Sequence, residues 1–164
     1  MFKYTDHNAS DKSESNNFKI AKEILTGIMP SKSIKSIDKT SSSTAHVDLE
    51  INFNEGCKYK KYKIELKPNN GKALKSGFPL LFEKYIGMVS EQSEDEKVFV
   101  MYLMKDSYYI FSIDKLKEKK LSELNISNWL IRRTQLSNTD NTMQYFPTIW
   151  MPISDCTYSG YTSN

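Results

Sequence analysis

Three side chains in the first half of the sequence have types and spacing suited to metal-assisted chemistry on phosphates: Asp48, Glu65 and Lys67. Carboxylate oxygens are ligands that Mg²⁺ prefers, and a bound Mg²⁺ polarises a phosphoryl oxygen and activates water. Lys67 follows Glu65 by two residues, so both side chains lie on one face if this segment is a strand. A lysine in that position suits orienting or deprotonating an attacking water.

Residues 45–67 predict the β-hairpin that would position these side chains, because apolar and polar residues alternate along both arms. The apolar face comprises Val47, Leu49, Ile51, Phe53, Tyr62, Ile64 and Leu66. Gly56-Cys57 fits a type II′ turn, which needs glycine at its first central position. The resulting register places Asp48 opposite Glu65 and His46 opposite Lys67. Two opposed carboxylates are destabilising unless something compensates, and a divalent cation would do so.

This pattern resembles the motif of the PD-(D/E)XK nuclease superfamily. In that superfamily an acidic residue on one strand and an acid-x-lysine on the next strand follow an N-terminal helix. Asp48 and Glu65-Leu66-Lys67 match this motif, whereas Val47 stands where its proline would be. An acid-x-lysine also occurs at residues 95–97 and 118–120, but only the one at 65–67 follows an acidic alternating strand. The resemblance covers about the first 70 residues.

The resemblance implies a metal-dependent endonuclease that hydrolyses DNA phosphodiester bonds, similar to Holliday junction resolvases or to small type II restriction enzymes. The implied cofactor is Mg²⁺, with Mn²⁺ as a substitute, held by Asp48, Glu65 and the carbonyl of Leu66. Lys67 completes the implied catalytic residues of the hairpin. Holliday junction resolvases and type II restriction enzymes both act as dimers, so the resemblance implies a homodimer. RNA stays open as a substrate, because the metal chemistry addresses the phosphate of either polymer.

Residues 17–29 predict an amphipathic helix, with apolar residues at helical spacing: Phe18, Ala21, Leu25 and Ile28. In resolvase-like and restriction-like members of the superfamily, a glutamate of this first helix completes the metal site. Glu23 is the best match to that catalytic and metal-binding role, and Glu14 stays open as an alternative. An ordinary solvated glutamate is the other interpretation of Glu23.

Candidate contacts to a nucleic-acid backbone lie in two segments. The serine-rich stretch 31–46 contains Lys39, Ser42 and Ser43, whose ammonium and hydroxyl groups suit phosphate contact but equally suit a solvated loop. Arg132 and Arg133 are candidate phosphate clamps, because a guanidinium binds phosphate through two parallel hydrogen bonds. The formal net charge of +3 permits a polyanionic partner without demanding one.

The expected fold is α/β: a mixed central β-sheet of four to five strands flanked by helices, restriction-endonuclease-like in class. The remaining predicted elements are a helix over 79–91, a strand buried on both faces over 98–104, its hairpin partner over 108–113, and a helix over 115–124 capped by Asp114. Residues 145–152 are interrupted by proline, which argues against a central strand there.

The length of 164 residues suits one globular domain. We expect a nuclease-like domain over 17–153, with flexible polar segments at 1–16 and 154–164. Cys57 and Cys156 match no metal-finger or redox spacing, which predicts reduced thiols. The sequence has no apolar run that could span a bilayer and no signal-peptide core, so we expect a soluble cytoplasmic protein with no membrane partner.

A noncatalytic module is the alternative function class: a nucleic-acid-binding or protein-interaction domain on the same fold. On that interpretation Asp48, Glu65 and Lys67 belong to the solvated face of an antiparallel hairpin, where cross-strand ion pairs are common. Cleavage of DNA in the presence of Mg²⁺ separates the two classes.

Overall fold

The computed structural model describes residues 7–29, 33–40, 47–68, 77–132 and 143–162, with the side chains of 7–13, 131 and 132 outside the description. The predicted site residues Ser42, Ser43 and Arg133, and also His46, lie outside the described residues. The helices and strands are α1 (His7–Ile28), β1 (Ile34–Lys39), β2 (Leu49–Glu55), β3 (Lys58–Pro68), β4 (Phe78–Leu81), α2 (Phe82–Glu91), β5 (Glu96–Leu103), β6 (Ser107–Ser112), α3 (Ile113–Lys117), β7 (Ile126–Arg132), β8 (Met143–Met151) and β9 (Tyr158–Tyr161).

The main sheet has six strands in the order β1-β2-β3-β5-β6-β9. β3 and β5 run parallel and the other neighbouring pairs run antiparallel, so the sheet is mixed. The α/β class with flanking helices is therefore confirmed, but the sheet is larger than the predicted four to five strands. The outer strand β9 lies within the segment 154–164 that the composition predicts to be flexible, and it pairs with β6 from Ser107↔Tyr161 to Ile110↔Tyr158.

The β2–β3 hairpin has the predicted register, from Glu55↔Lys58 at the turn to Leu49↔Ile64 at the open end. Gly56 has a φ of 62°, and no non-glycine residue of the described ranges, Cys57 included, has a positive φ. A positive φ at the first central position alone is the pattern of a type II′ turn. The alternating sequence accounts for the register, because a slip of one residue would turn the apolar side chains to the polar face.

The main sheet separates two hydrophobic clusters, one on each face. Ile51 and Ile64 share the first cluster with Ala21 and Leu25 of α1. The second cluster contains Met88 of α2, together with residues of the second sheet. α1 and α2 thus cover opposite faces of the main sheet.

The alternation along β3 and β5 decides what points to each face. Val100 belongs to the α2 cluster and Met101 to the α1 cluster, so β5 is buried on both faces as predicted. Ile64 points to the α1 face, and its neighbours Lys63 and Glu65 therefore point to the α2 face. The polar side of the hairpin is covered in part by α2.

A second, three-stranded sheet in the order β4-β8-β7 departs most from the sequence expectation. Pro79 lies in the edge strand β4 rather than at the start of a helix. β8 is the central strand although it contains Pro147, so the prediction against a central strand here is wrong. The pairing explains this: β4 reaches only to Leu81↔Thr148, and Pro147 is paired on the β7 side alone. Proline has no N–H and is tolerated where one side of a strand lacks a ladder partner.

Two helices differ in extent from their predictions. α1 begins at His7, inside the segment 1–16 that the composition predicts to be flexible. α3 covers only Ile113–Lys117 instead of continuing to residue 124. Asp114 lies inside α3, and its Oδ1 accepts a hydrogen bond from Gln92 Nε2 at 2.8 Å rather than capping backbone amides.

The two cysteines are free thiols, with Cys57 exposed and Cys156 half-buried. Burial raises the pKa of the Cys156 thiol, which lowers its reactivity at neutral pH. Within the described ranges, no helix combines the length and apolar character needed to cross a membrane.

Candidate active site

Asp48 lies at the open end of the β2–β3 hairpin, where backbone hydrogen bonds hold it. The Asp48 N–H donates to the Ile64 carbonyl and the Thr40 N–H donates to the Asp48 carbonyl, each at 2.9 Å. The Leu66 N–H donates to Asp48 Oδ2 at 2.7 Å. The paired ladder ends at Leu49↔Ile64, so Asp48 is not a ladder partner of Glu65. Instead, its carboxylate continues the ladder in place of a backbone carbonyl.

The carbonyl of Leu66 shares this open end with Asp48. In a paired strand, the N–H and C=O of one residue point to the same side. Because the Leu66 N–H points to Asp48, its carbonyl also faces the side of β3 that β2 no longer covers. The end of the hairpin thus brings together a carboxylate and a carbonyl oxygen, which are both ligands for hard cations.

Glu65 is a buried carboxylate, with 3% of the residue exposed. Lys67 Nζ lies 2.7 Å from Oε1 and forms a hydrogen bond with the carboxylate. Lys84 Nζ, from α2, lies 3.1 Å from Oε2. The Lys84 ammonium is not aligned as a donor, so among the described residues Oε2 has no hydrogen-bond partner.

Burial raises the pKa of Glu65 above its ordinary value and outweighs both lysines. Lys67 lowers the pKa through its charge and its hydrogen bond, the negative charge of Asp48 raises it, and Lys84 lowers it. The effect of Asp48 means that the two carboxylates are close enough to repel each other. A cation between them would relieve this repulsion and favour the ionised form of both.

Burial disfavours the ionised form of the Glu65 carboxyl group in the folded protein. Removing an ion from water costs on the order of several kcal/mol, which ion pairs offset only when every polar atom is well partnered. One oxygen of Glu65 accepts no hydrogen bond from the part of the chain that the structure describes. The nearby hydroxyl of Tyr102, a residue 3% exposed, donates at 2.6 Å to the Pro79 carbonyl instead. A titratable group perturbed by burial and by a specific charge partner is characteristic of functional sites.

A cleft of about 420 Å³ opens beside Asp48, between α1 and the ends of β1 and β3. Asp48 and Leu66 line it, whereas Glu65 is not among its described lining residues. Lys39 crosses the cleft: its Nζ lies 3.8 Å from Glu14 Oε1 and 5.4 Å from the centre of the Phe18 ring. The volume is within the range of small-ligand sites.

Glu23 lies away from this cleft. It lines a different cleft, of about 530 Å³, together with Lys105 and Tyr161. Glu14, the alternative that the sequence leaves open, lines the cleft of Asp48. The two glutamates are separated by about two and a half helical turns, so they project from opposite sides of α1. Glu14, and not Glu23, therefore shares a cleft with Asp48.

The other predicted nucleic-acid contacts are divided between the two sheets. Lys39 ends β1 of the main sheet and lines the cleft of Asp48. Arg132 ends β7 of the second sheet, and its side chain lies outside the description. The contacts predicted for Ser42, Ser43 and Arg133 also fall outside the described residues.

Lys84 is the residue of this site that sequence reasoning did not single out. It lies in the first turn of α2, next to the buried Tyr85. Its ammonium reaches Glu65 because α2 packs on the face of the sheet to which Glu65 points. No local spacing signals this contact, since the crossover between the parallel strands β3 and β5 creates it.

The donor atoms suit a hard divalent cation. Asp48, Glu65 and the Leu66 carbonyl offer oxygen only, and Glu65 Oε2, which accepts no hydrogen bond from the described residues, is an atom that a cation would satisfy. Across the described ranges, no group of three or more His, Cys, Asp and Glu side chains is arranged to hold a metal ion. Two carboxylates and a carbonyl nevertheless suffice for Mg²⁺, which usually keeps several waters.

Comparisons with known proteins assign no family to the chain. No protein-family model matches it, and no curated protein or solved structure matches it either. The geometry around Asp48, Glu65 and Lys67 is therefore the basis for inferring a function.

Proposed function

We propose that this chain is a Mg²⁺-dependent endonuclease that hydrolyses DNA phosphodiester bonds. The observation that carries the proposal is the buried Glu65 carboxylate. Its Oε2 is ion-paired with Lys84 but accepts no hydrogen bond from the described residues, its Oε1 is hydrogen-bonded to Lys67 at 2.7 Å, and Asp48 is close enough to raise its pKa. A structural ion pair would be weakened by a second carboxylate. These two acids and Lys67 are also the residues that resemble the PD-(D/E)XK motif.

Asp48, Glu65 and the Leu66 carbonyl would hold the cation. When bound, Mg²⁺ supplies Lewis-acid polarisation of the phosphate and lowers the pKa of water. Lys67 donates one N–H to Glu65, and its side chain is 40% exposed. An ammonium has three donors, so Lys67 has N–H groups left to orient the attacking water or to stabilise charge on the phosphate.

We assign the carboxylate of the first helix to Glu14. It lines the same cleft as Asp48, whereas Glu23 lines another. The Glu14 side chain is 72% exposed and its ion pair with Lys39 is long, at 3.8 Å, so it is free to turn toward a cation. A water-mediated contact would suffice for this role, because Mg²⁺ keeps part of its hydration shell.

The arrangement of elements supports a restriction-endonuclease-like fold. α1 precedes the acidic hairpin and covers one face of a mixed sheet, and α2 covers the other. A junction-resolvase-like and a restriction-like activity fit the site equally. Both imply a homodimer and both allow Mn²⁺ to replace Mg²⁺.

The direct test is nicking of supercoiled plasmid and of a synthetic four-way junction with Mg²⁺ or Mn²⁺. We expect wild type to cut at least one of these substrates, and Asp48→Asn and Lys67→Met to lose the activity. Asp38→Asn and Lys63→Met are matched controls, since Asp38 is an exposed aspartate on β1 and Lys63 shares a face of β3 with Lys67. Both controls should cut like wild type.

A noncatalytic nucleic-acid-binding module is the second candidate, favoured by the two lysines that already neutralise Glu65. It predicts DNA binding of equal strength with and without Mg²⁺, and no cleavage of either substrate. That result, or full activity of Asp48→Asn, would overturn the nuclease proposal. Repeating the assay with single-stranded and duplex RNA distinguishes a ribonuclease from a deoxyribonuclease.

A further inference from the structure

Two ammonium groups contact Glu65 in different ways. Lys67 comes from the same strand and donates a hydrogen bond to Oε1 at 2.7 Å. Lys84 comes from α2, and its Nζ lies 3.1 Å from Oε2 but outside hydrogen-bonding geometry. Oε2 therefore has an ion-pair partner and no hydrogen bond. The buried carboxylate has one firm contact and one loose contact.

We propose that Lys84 is a placeholder cation. Its ammonium lies 3.1 Å from Glu65 Oε2, and a divalent cation bound by Glu65 would take its place there. The inference rests on the proposed function, because it requires a metal site at these carboxylates. It gives Lys84 a role in metal binding that neither the motif nor the local sequence pattern assigns.

A divalent cation and an ammonium cannot both contact one side of a buried carboxylate oxygen. Mg²⁺ binds oxygen at about 2.0–2.1 Å, and two positive charges this close repel strongly in a site shielded from water. Cation binding at Oε2 must therefore move the ammonium away.

Lys84 is the lysine that is able to leave. Its contact with Glu65 is the longer one, at 3.1 Å against 2.7 Å for Lys67, and it is not a hydrogen bond among the described residues. A four-carbon stem, 26% exposed, allows its ammonium to swing toward solvent. Lys67 contacts the other oxygen, so it is able to keep its hydrogen bond to Oε1 while Oε2 changes partner.

Lys84 also compensates the charge of Glu65 in the fold. Without Lys84, the Oε2 atom of a carboxylate that is 3% exposed would lose its ion-pair partner, and the negative charge of Asp48 would still act on Glu65. A buried charge that loses its partner destabilises a fold strongly. Lys84 compensates the charge of Glu65 until the divalent cation replaces it.

Calorimetric titration with Mn²⁺ in mildly alkaline buffer tests the exchange. We expect Lys84→Met to bind Mn²⁺ about fivefold more tightly than wild type, because the competing ammonium is gone. Lys67→Met and Lys63→Met are the controls: the first removes the other ammonium on Glu65, and the second removes a lysine paired with Glu96. Equal tightening in Lys84→Met and Lys67→Met would indicate general charge repulsion and overturn the placeholder role, as would unchanged or weaker binding in Lys84→Met.

NMR of the lysine side chains follows the exchange in wild type without relying on a variant's fold. Mg²⁺ should shift the Cε resonance of Lys84, assigned by its absence from Lys84→Met, and leave that of Lys63 in place. If DNA is cut and Mg²⁺ binds while Lys84 stays unshifted, this inference fails and the nuclease proposal stands. If neither Mg²⁺ nor Mn²⁺ binds wild type and no nucleic acid is cut, both fail.

Discussion

Two glutamates on the α2 face of the main sheet each have two lysine partners, yet they are opposite in character. Glu96 begins β5 and lies 2.8 Å from Lys63 Nζ and 3.9 Å from Lys61 Nζ. Glu65 lies 2.7 Å from Lys67 and 3.1 Å from Lys84. The pKa of Glu96 is lowered, whereas the pKa of Glu65 is raised.

The difference comes from burial, backbone donors and neighbouring charge. Burial raises the pKa of Glu96 too, but hydrogen bonds from Lys63 and from the Ser93 N–H, the latter at 3.3 Å, outweigh it. Glu65 is more buried, with 5% of its side chain exposed against 13% for Glu96, and it faces Asp48. The number of lysines alone therefore does not decide whether a carboxylate is stabilised. The ionised form of Glu96 is stabilised by its hydrogen bonds, as in a structural ion pair. Glu65 has an oxygen that accepts no hydrogen bond from the described residues and that a ligand would satisfy.

The largest expected effect that separates the two glutamates is on cleavage. Glu65→Gln should lower the Mg²⁺-dependent rate at least about 100-fold, because losing a metal ligand removes several kcal/mol of transition-state stabilisation. Glu96→Gln should stay within about twofold of wild type, measured as initial rates on the same plasmid. Equal losses in both variants would mean that the comparison reflects folding and not chemistry.

The next effect shows how far the Glu65 site extends. Glu14→Gln should lower the cleavage rate about tenfold, as is typical for a ligand that acts through water or an outer shell. Glu23→Gln is the matched control on the other side of α1 and should leave the rate unchanged. Initial rates across a Mg²⁺ titration check this. A larger loss of cleavage rate in Glu23→Gln than in Glu14→Gln would assign the metal-binding role of the α1 carboxylate to Glu23.

Stability should change with opposite sign at the two glutamates. The folded-state pKa of Glu65 is raised, so its contribution favours folding below the ordinary value of 4.5 and is lost as pH rises through the folded pKa. The free energy of unfolding of Glu65→Gln, relative to that of wild type, should therefore rise as pH increases from below 4.5 to neutral.

Glu96 provides the reverse case. Its folded-state pKa is lowered, so its stabilisation is present above 4.5 and is lost as pH falls through the folded pKa. Glu96→Gln should thus lower the free energy of unfolding at neutral pH by less than about 1 kcal/mol. Urea denaturation of both variants at neutral and acidic pH measures the two signs, and equal signs would remove the contrast.

The smallest expected effect is thermal. Excess Mg²⁺ or Mn²⁺ should raise the Tm of wild type and of Glu96→Gln by about 2–4 °C, since a ligand that binds only the folded state stabilises it. The Tm of Glu65→Gln should not respond. A scanning-fluorimetry series with and without chelator checks this, and a response in Glu65→Gln would place the cation elsewhere.

The local pattern was sufficient for the hairpin that carries the candidate site. A period of two along residues 47–67 and glycine at position 56 lead to the observed register and turn, because both depend on neighbours in sequence. The predicted pairing of Asp48 with Glu65, one residue beyond the end of the ladder at Leu49↔Ile64, is wrong. There, Asp48 uses its carboxylate to accept the Leu66 N–H, a choice that no alternation encodes.

Contacts between distant segments could not be read from periodicity. The proline-containing strands β4 and β8 pair with each other although they are the first and last strands of the second sheet along the chain, so neither is recognisable from its own neighbours. β9 pairs with β6 in the same non-local way. In each case the partner strand, and not the segment's own composition, supplies the stabilising contacts.

The sequence by itself determined the types and spacing of Asp48, Glu65 and Lys67 and the strand alternation that groups them. Only the tertiary structure decided that Glu65 is buried, that Lys84 contacts it, and that Glu14 rather than Glu23 lines the cleft of Asp48. The reason is physical: alternation fixes the face to which a side chain points, whereas burial and ion pairing depend on which helix is packed over that face.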